Sequence, residues 1–206
     1  MERLREKAAA FGIALSDHQL EQFEMYYKML VEKNKVMNLT AIIEKNEVID
    51  KHFADSLALV KSGVELKDQK ILDLGTGAGF PGIPLKIAFP ELEIVLLDSL
   101  NKRIKFLNEV INTLGLQKIT AIHGRAEDFA KQKEYRENFD YVVIDTPPVQ
   151  LVTDAQILSS KADGTLLVVK AESTKKNQVA SSVGLLRKVN ATVMGTVLNA
   201  VKNTVE

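Results

Sequence analysis

The residues best suited to chemistry gather in one stretch of this chain, Ile71-Leu72-Asp73-Leu74-Gly75-Thr76-Gly77-Ala78-Gly79-Phe80-Pro81-Gly82. An apolar run enters a glycine-dense turn there, and about 16 residues further on a second run, Glu93-Ile94-Val95-Leu96-Leu97, ends in Asp98. Glycines let a backbone approach a ligand closely, and the helix start beyond them offers unpaired N–H groups and a positive dipole end. An acid at the tip of the neighbouring strand can hold both hydroxyls of a ribose. The pairing describes a nucleotide pocket. Its spacing, Gly75-x-Gly77-x-Gly79, departs from the G-x-G-x-x-G of dinucleotide sites, and Pro81 and Gly82 follow at once. Asp73, ahead of the glycines, suits a ligand with a cationic amino-acid moiety. The combination points to S-adenosylmethionine, or its product S-adenosylhomocysteine, as cofactor. A glycine-rich strand-to-helix turn without a ligand is the competing reading.

Positioning such a turn requires a sheet. From Lys70 the pattern alternates, with strands expected at about 70–74, 93–97, 118–122, 139–145, 164–170 and 192–198 and helices near 81–89, 100–114, 126–132, 151–160 and 175–189. Repeated strand–helix units imply a parallel sheet with right-handed crossovers, and ligands bind at the carboxyl ends of such strands. Helix 100–114 buries Ile104, Leu107, Ile111 and Leu114. Three helices lead: about 2–11, one opening at the capping-box spacing Ser16-Asp17-His18-Gln19, and about 46–61. The second repeats Leu20, Phe23, Tyr27 and Leu30 at helical intervals; the third turns Val48, Phe53, Leu57, Leu59 and Val60 towards a core. The expectation is an α/β, three-layer Rossmann-like protein with six parallel strands in the order 3-2-1-4-5-6. Residues 1–65 would be an N-terminal helical extension and 66–206 the α/β domain, with Lys202 and Asn203 fraying past the last strand.

Composition narrows the class without naming it. Hydrophobic residues make up 46% of the chain and charged residues 26%, enough for a substantial core. Lys+Arg and Asp+Glu both number 27, so net charge gives no nucleic-acid footprint. Cysteine is absent, which excludes disulfide-linked partners and thiolate metal sites. With no run approaching the roughly 18 apolar residues of a membrane span, the expected place is the cytoplasm, with no membrane partner.

Five runs carry a resemblance: Met37-Asn38-Leu39-Thr40-Ala41, Lys51-His52-Phe53-Ala54-Asp55-Ser56-Leu57, Asp73 to Pro84, Leu97-Asp98-Ser99-Leu100-Asn101-Lys102-Arg103 and His123-Gly124-Arg125-Ala126-Glu127-Asp128. Over about residues 12–140 the chain resembles the bacterial glucose-inhibited-division-B family, which methylates N7 of a guanine in small-subunit ribosomal RNA. The resemblance implies a class I methyltransferase fold, adenosylmethionine held by Gly75, Gly77 and Phe80, ribose by Asp98, and the adenine edge near Ala126 and Glu127. The candidate cofactor set is thus Asp73, Gly75, Thr76, Gly77, Gly79, Phe80, Asp98, Ser99, Ala126 and Glu127. No catalytic residue and no metal ligand is assigned.

Beyond Val143 that family would continue Ser-Arg-Ala, whereas this chain reads Ile144-Asp145-Thr146-Pro147-Pro148. From about 139 to 202 it resembles the C-terminal part of bacterial P-loop tyrosine kinases of the capsule-polysaccharide type, through Asp140–Pro148, Thr153-Asp154-Ala155-Gln156, Ala162-Asp163-Gly164 and Val193–Asn199. Phosphoryl transfer needs a phosphate cradle, and no G-x-x-x-x-G-K-[ST] occurs, so kinase or ATPase activity is not expected. The expectation is a chimera, engineered rather than natural, spliced near 139–145. It would bind the methyl donor with little or no catalysis, the ribosomal RNA partner of the parent family being lost. The alternatives are an active guanine-N7 methyltransferase and a scaffold that binds no ligand.

Other residues keep two readings. Arg125, Glu127 and Asp128 edge an adenine pocket or place favourable charges in a first helical turn. His52, Asp55 and Ser56 face the cofactor or join helix to sheet. His52 is no metal candidate, since His18 and His123 have no matched partners. Asn38 and Thr40 cap or turn between helices; Pro147 and Pro148 fix a loop; Lys170 ends the fifth strand.

Overall fold

Lys70–Leu74 (β1) lies at the centre of a parallel sheet because both of its faces are covered: Ile71, Leu72 and Asp73 are buried. It pairs with Glu93–Asp98 (β2), buried from Ile94 onward, and on the other side with Tyr141–Ile144 (β4). Ile119–His123 (β3) pairs with the outer side of β2, giving the order β3-β2-β1-β4. The register sets Leu74 beside Leu97 and Asp98 beside His123, so the carboxyl ends of β1, β2 and β3 share one edge. The computed structural model describes residues 1–131, 138–171 and 173–199, apart from the side chains of Glu127, Ala130 and Asn199. It divides into two compact units, one Met1–Asp145 and the other starting at Thr146.

In the first unit the leading helices are Glu2–Ala10 (α1) and Asp17–Met37 (α2), the latter opened by the expected capping box, Gln19 N donating to Ser16 Oγ and Ser16 N to Gln19 Oε1. Its buried stripe is Leu20, Phe23, Tyr26 and Leu30. Tyr26, not the expected Tyr27, is the core residue; Tyr27 is half-buried, and its hydroxyl donates to the Ile43 carbonyl. The two tyrosines are adjacent, and either fits a 3.6-residue period, so periodicity alone could not choose between them.

The third helix is composite: Lys45–Val48 (α3), a π-helical turn Ile49–Phe53, Ala54–Leu57 (α4) and a 3₁₀ turn Ala58–Ser62, stopped by Gly63 in the left-handed region. Val48, Phe53 and Leu57 are buried as expected. Arg3 grips Asp50 of the π turn through both carboxylate oxygens, at 2.8 and 2.6 Å, tying α1 to it. Around the sheet lie Gly82–Ala88 (α5), Asn101–Thr113 (α6) and Ala126–Lys131 (α7). Ile104, Leu107, Ile111 and Leu114 are buried as their spacing implied.

The second unit contains Asp154–Ser159 (α8), Thr165–Lys170 (β5), Lys176–Lys188 (α9) and Val193–Asn199 (β6). Here the structure departs from the expected six-stranded sheet: β5 and β6 pair in parallel with each other as a two-stranded sheet, separate from the four-stranded one. Apolar content predicts that a strand is covered, not which edge it pairs with. Along β6 exposure alternates, with Met194 and Leu198 more than half exposed, as a strand covered on one face requires. Lys202 and Asn203 lie outside the described residues, as does the end of the helix expected to reach 132.

Candidate functional site

The turn after β1 is built by hydrogen bonds its own glycines permit. Gly75 N and Thr76 N both donate to Leu97 O at the end of β2, and Gly79 N and Phe80 N to Thr76 O. Gly75, Gly77 and Gly79 have φ of 80°, 61° and 108°, values costly for a residue with a β-carbon. Their lost side chains differ in consequence. A β-carbon on Gly75 would enter open space, whereas one on Gly79 would meet the Tyr26 hydroxyl at 2.9 Å.

Asp73 is fully buried beneath this turn. Its Oδ2 accepts from Thr76 Oγ1 at 2.6 Å and from Gly82 N at 2.9 Å. Oδ1 has no hydrogen-bond partner and is buried. Burial pushes the carboxyl up to about 7, opposed by the Thr76 and Gly82 bonds and assisted by the nearby Asp145 and Asp98 charges. One expectation changes as a result. The first N–H of α5 is not free for a ligand, because Asp73 already accepts it. Gly82 allows that contact: a β-carbon there would meet Leu96 and come within 2.8 Å of Asp73 Oδ2.

Asp98 ends β2 with 4% of its surface exposed. Its Oδ1 accepts from Leu100 N at 2.8 Å, and its Oδ2 from Gly77 N at 3.0 Å and Arg103 Nη1 at 3.1 Å. Gly75, Asp98, Ser99 and Ala126, together with Leu74, Leu97, Gly124 and Arg125, line an open cleft of about 380 Å³ at the carboxyl ends of the strands. Gly124 is held there by its N–H to Asp98 O, and His123 Nε2 donates to Ser99 O. Four members of the candidate set therefore line one cleft, and Gly77 reaches it through its bond to Asp98. Asp73 and Thr76 lie buried under the turn. The side chain of Glu127 is outside the described residues.

Phe80 belongs to a second group that sequence reasoning only partly found. It stacks on His52 at 4.5 Å between ring centroids and 12° between planes, and meets Tyr26 at 5.6 Å and Phe53 at 6.1 Å. Tyr26 Oη donates to Ala78 O at 2.7 Å, its phenol pushed well above its ordinary range by burial and the Asp73 charge. His52 Nε2 pairs with Thr40 Oγ1 at 2.9 Å, and Thr40 N donates to Asn34 Oδ1, so Thr40 serves as a link rather than a plain turn residue. Burial, with Lys51 nearby, lowers His52 to about 4 and keeps its ring neutral. The π turn packs consecutive residues, His52 and Phe53, against the same Phe80; such turns recur at functional sites. The apolar pattern could not choose Tyr26 over Tyr27 and gave no sign of the π turn. Among the described residues, no group of three or more acids and histidines could hold a metal, and no helix is long and apolar enough to cross a membrane.

This chain is similar to known proteins over most of its length. The protein-family model for GidB, rRNA small subunit methyltransferase G, matches residues 19–199. The ribosomal RNA small subunit methyltransferase G of Lachnoclostridium phytofermentans is 61% identical over 134 residues, covering 65% of this chain and 55% of that protein. That of Thermoanaerobacter sp. (strain X514) is 45% identical over 194 residues, 94% of this chain and 80% of the relative. The chain thus spans about half the length of the first relative and four fifths of the second. A solved protein-L-isoaspartate O-methyltransferase aligns at a TM-score of 0.48 and 15% identity, over 72% of this chain and 48% of that one. The family match runs through the junction expected near 139–145, and the expected P-loop kinase part and splice find no support among these relatives. By the extent of that match, and by identity to a relative it largely spans, the chain belongs to the GidB family of rRNA small subunit methyltransferases.

Proposed function

We propose that the chain is a cytoplasmic methyltransferase that takes S-adenosylmethionine as donor and a guanine N7 of small-subunit ribosomal RNA as acceptor. The observation that carries the cofactor reading is Asp98: a buried carboxylate at the tip of β2, facing a cleft shared with Gly75, one strand from the glycine turn. In this reading Asp98 takes the ribose hydroxyls, Ser99, Ala126 and Glu127 flank the adenine, and Gly75, Thr76, Gly77, Gly79 and Phe80 shape the turn around the amino-acid end. The residues present fit such a ligand. The buried, unpartnered Asp73 Oδ1 suits an ammonium group, and the open space beside Gly75 admits a close approach. Residues 1–65 act as a helical extension to the four-stranded sheet of the first unit.

The cofactor, when bound, supplies an electrophilic methyl group. Guanine N7 already carries a lone pair, so the chain need not move a proton before transfer; holding the acceptor in line is its main task.

A second reading rests on Asp145. It occupies the segment where the resembled pattern has an arginine, Ser-Arg-Ala being replaced by Ile144-Asp145-Thr146. An acid there does not attract RNA phosphate, and the chain would then bind the cofactor with little turnover. Two measurements separate the readings. A thermal-shift series should show stabilisation by adenosylmethionine and adenosylhomocysteine and none by Mg-ATP. Labelled methyl should then pass to small ribosomal subunits lacking the modification. A cofactor-saturated protein that transfers no label supports the second reading, and absence of any shift leaves a ligand-free scaffold.

A further inference from the structure

An ionised carboxylate has about four lone-pair positions, two on each oxygen. Asp98 has committed three: Oδ1 to Leu100 N, and both positions of Oδ2 to Gly77 N and to Arg103 Nη1. Only one position, on Oδ1, is left for a ligand. A ribose that presents two hydroxyls needs two positions, so one existing donor has to leave. Leu100 N belongs to the backbone at the entry to α6, and Gly77 N is fixed by the turn. Arg103 is a side chain, 32% exposed, on the first turn of α6, and it can swing away without disturbing any backbone.

We propose that Arg103 is an intramolecular competitor for the ribose position of Asp98 and so a determinant of affinity and sugar selectivity. This rests on the reading of Asp98 as the ribose acid. Without ligand the guanidinium neutralises a nearly buried charge; a vicinal diol takes its place, and Arg103 turns to solvent. A ligand that lacks the diol has nothing to exchange and leaves the ion pair intact. The opposite role, in which Arg103 preorganises Asp98 for the ligand, predicts the opposite sign.

Calorimetric titration of the full chain with S-adenosylhomocysteine, adenosine and 2′,3′-dideoxyadenosine tests it, using Arg103→Met, which keeps the apolar stem, and Arg103→Lys, which keeps a cation. Arg103→Met should bind the first two about 2- to 5-fold more tightly than the wild type, the upper part of the range for an ion pair with one solvent-exposed partner. It should not gain for the dideoxynucleoside, and Arg103→Lys should gain less. Equal or weaker binding of adenosylhomocysteine by Arg103→Met, with the wild type binding normally, overturns the inference and leaves the cofactor reading standing. A gain that is the same for the dideoxynucleoside also overturns it. If neither protein binds adenosylhomocysteine, the cofactor reading falls and takes the inference with it.

Discussion

The hydroxyl of Tyr26 donates to the carbonyl of Ala78 at 2.7 Å, joining a helix of the N-terminal segment to the middle of the glycine turn 52 positions away. Both atoms are buried, so the bond is an internal requirement rather than a surface accessory. The N-terminal helices are therefore part of what shapes the turn, through Tyr26 from α2 and His52 from the π turn.

Tyr26→Phe keeps the ring contacts with Phe53 and Phe80 but strands the Ala78 carbonyl. A buried acceptor without its donor costs about 1–3 kcal/mol. The variant should melt several degrees lower and bind adenosylhomocysteine more weakly, since the turn loses its clamp. Denaturant unfolding and calorimetry would measure the two effects; unchanged values in both would show that the bond contributes nothing.

Gly82→Ala places a β-carbon against Leu96 and within 2.8 Å of Asp73 Oδ2. Neither neighbour has room to retreat, because Leu96 is 0% exposed and Asp73 is buried. Overpacking of this kind costs about 1–3 kcal/mol. Ala at position 75 has open space but a strained φ, so Gly75→Ala should cost less in packing and act mainly through the backbone. Comparing the two unfolding curves checks this.

One buried and one half-buried group should bend the acid side of the stability curve in opposite directions. Asp73 rises from 3.8 to about 7 in the folded state, so the fold binds the extra proton and loses stability as pH climbs from about 4 to about 7. His52 falls from 6.5 to about 4, so the unfolded chain binds the extra proton and stability is lost as pH drops through that window. In the wild type the slopes partly cancel. Asp73→Asn should leave a curve that falls towards acid, and His52→Phe one that rises towards acid; melts from pH 4 to 7 would show whether the slopes separate.

Lys86 is a buried cation, 2% exposed, whose ammonium donates to the carbonyls of Pro90 and Leu92. Burial, reinforced by Lys118, lowers it to about 8 against the pull of Glu91 and Glu93. Unfolding then takes up a proton between about 8 and 10.5, so stability should rise with pH across that range. In Lys86→Met the rise should vanish, and the variant should be less stable overall because two carbonyls lose their donor. Melting at a series of alkaline pH values tests the sign.

Much of the first unit could be read from the chain. Apolar runs placed β1 and β2, Ser16 and Gln19 placed the start of α2, and the Ile104-Leu107-Ile111 stripe oriented α6, because each is a local preference that the fold did not have to override. The glycine turn and the acid on the next strand could also be read, since conformational permissiveness and strand ends are written in residue type. Harder to read were the choice of Tyr26 over Tyr27, the π turn that brings His52 and Phe53 onto Phe80, and the pairing of β5 with β6 alone. Each depends on a partner far along the chain.

By itself, then, the sequence determined most local elements of the first unit, the order β3-β2-β1-β4 and the meeting of Gly75 with Asp98 at one sheet edge. It could do so because periodicity, chain direction and right-handed crossovers leave few other arrangements. Only the tertiary structure decided how the carboxylates are used. Asp73 spends one oxygen on the backbone it supports and buries the other, while Asp98 is nearly filled by Leu100, Gly77 and Arg103. Residue type fixes how many hydrogen bonds a group can make; which of them are made depends on what folding brings within 3 Å or so.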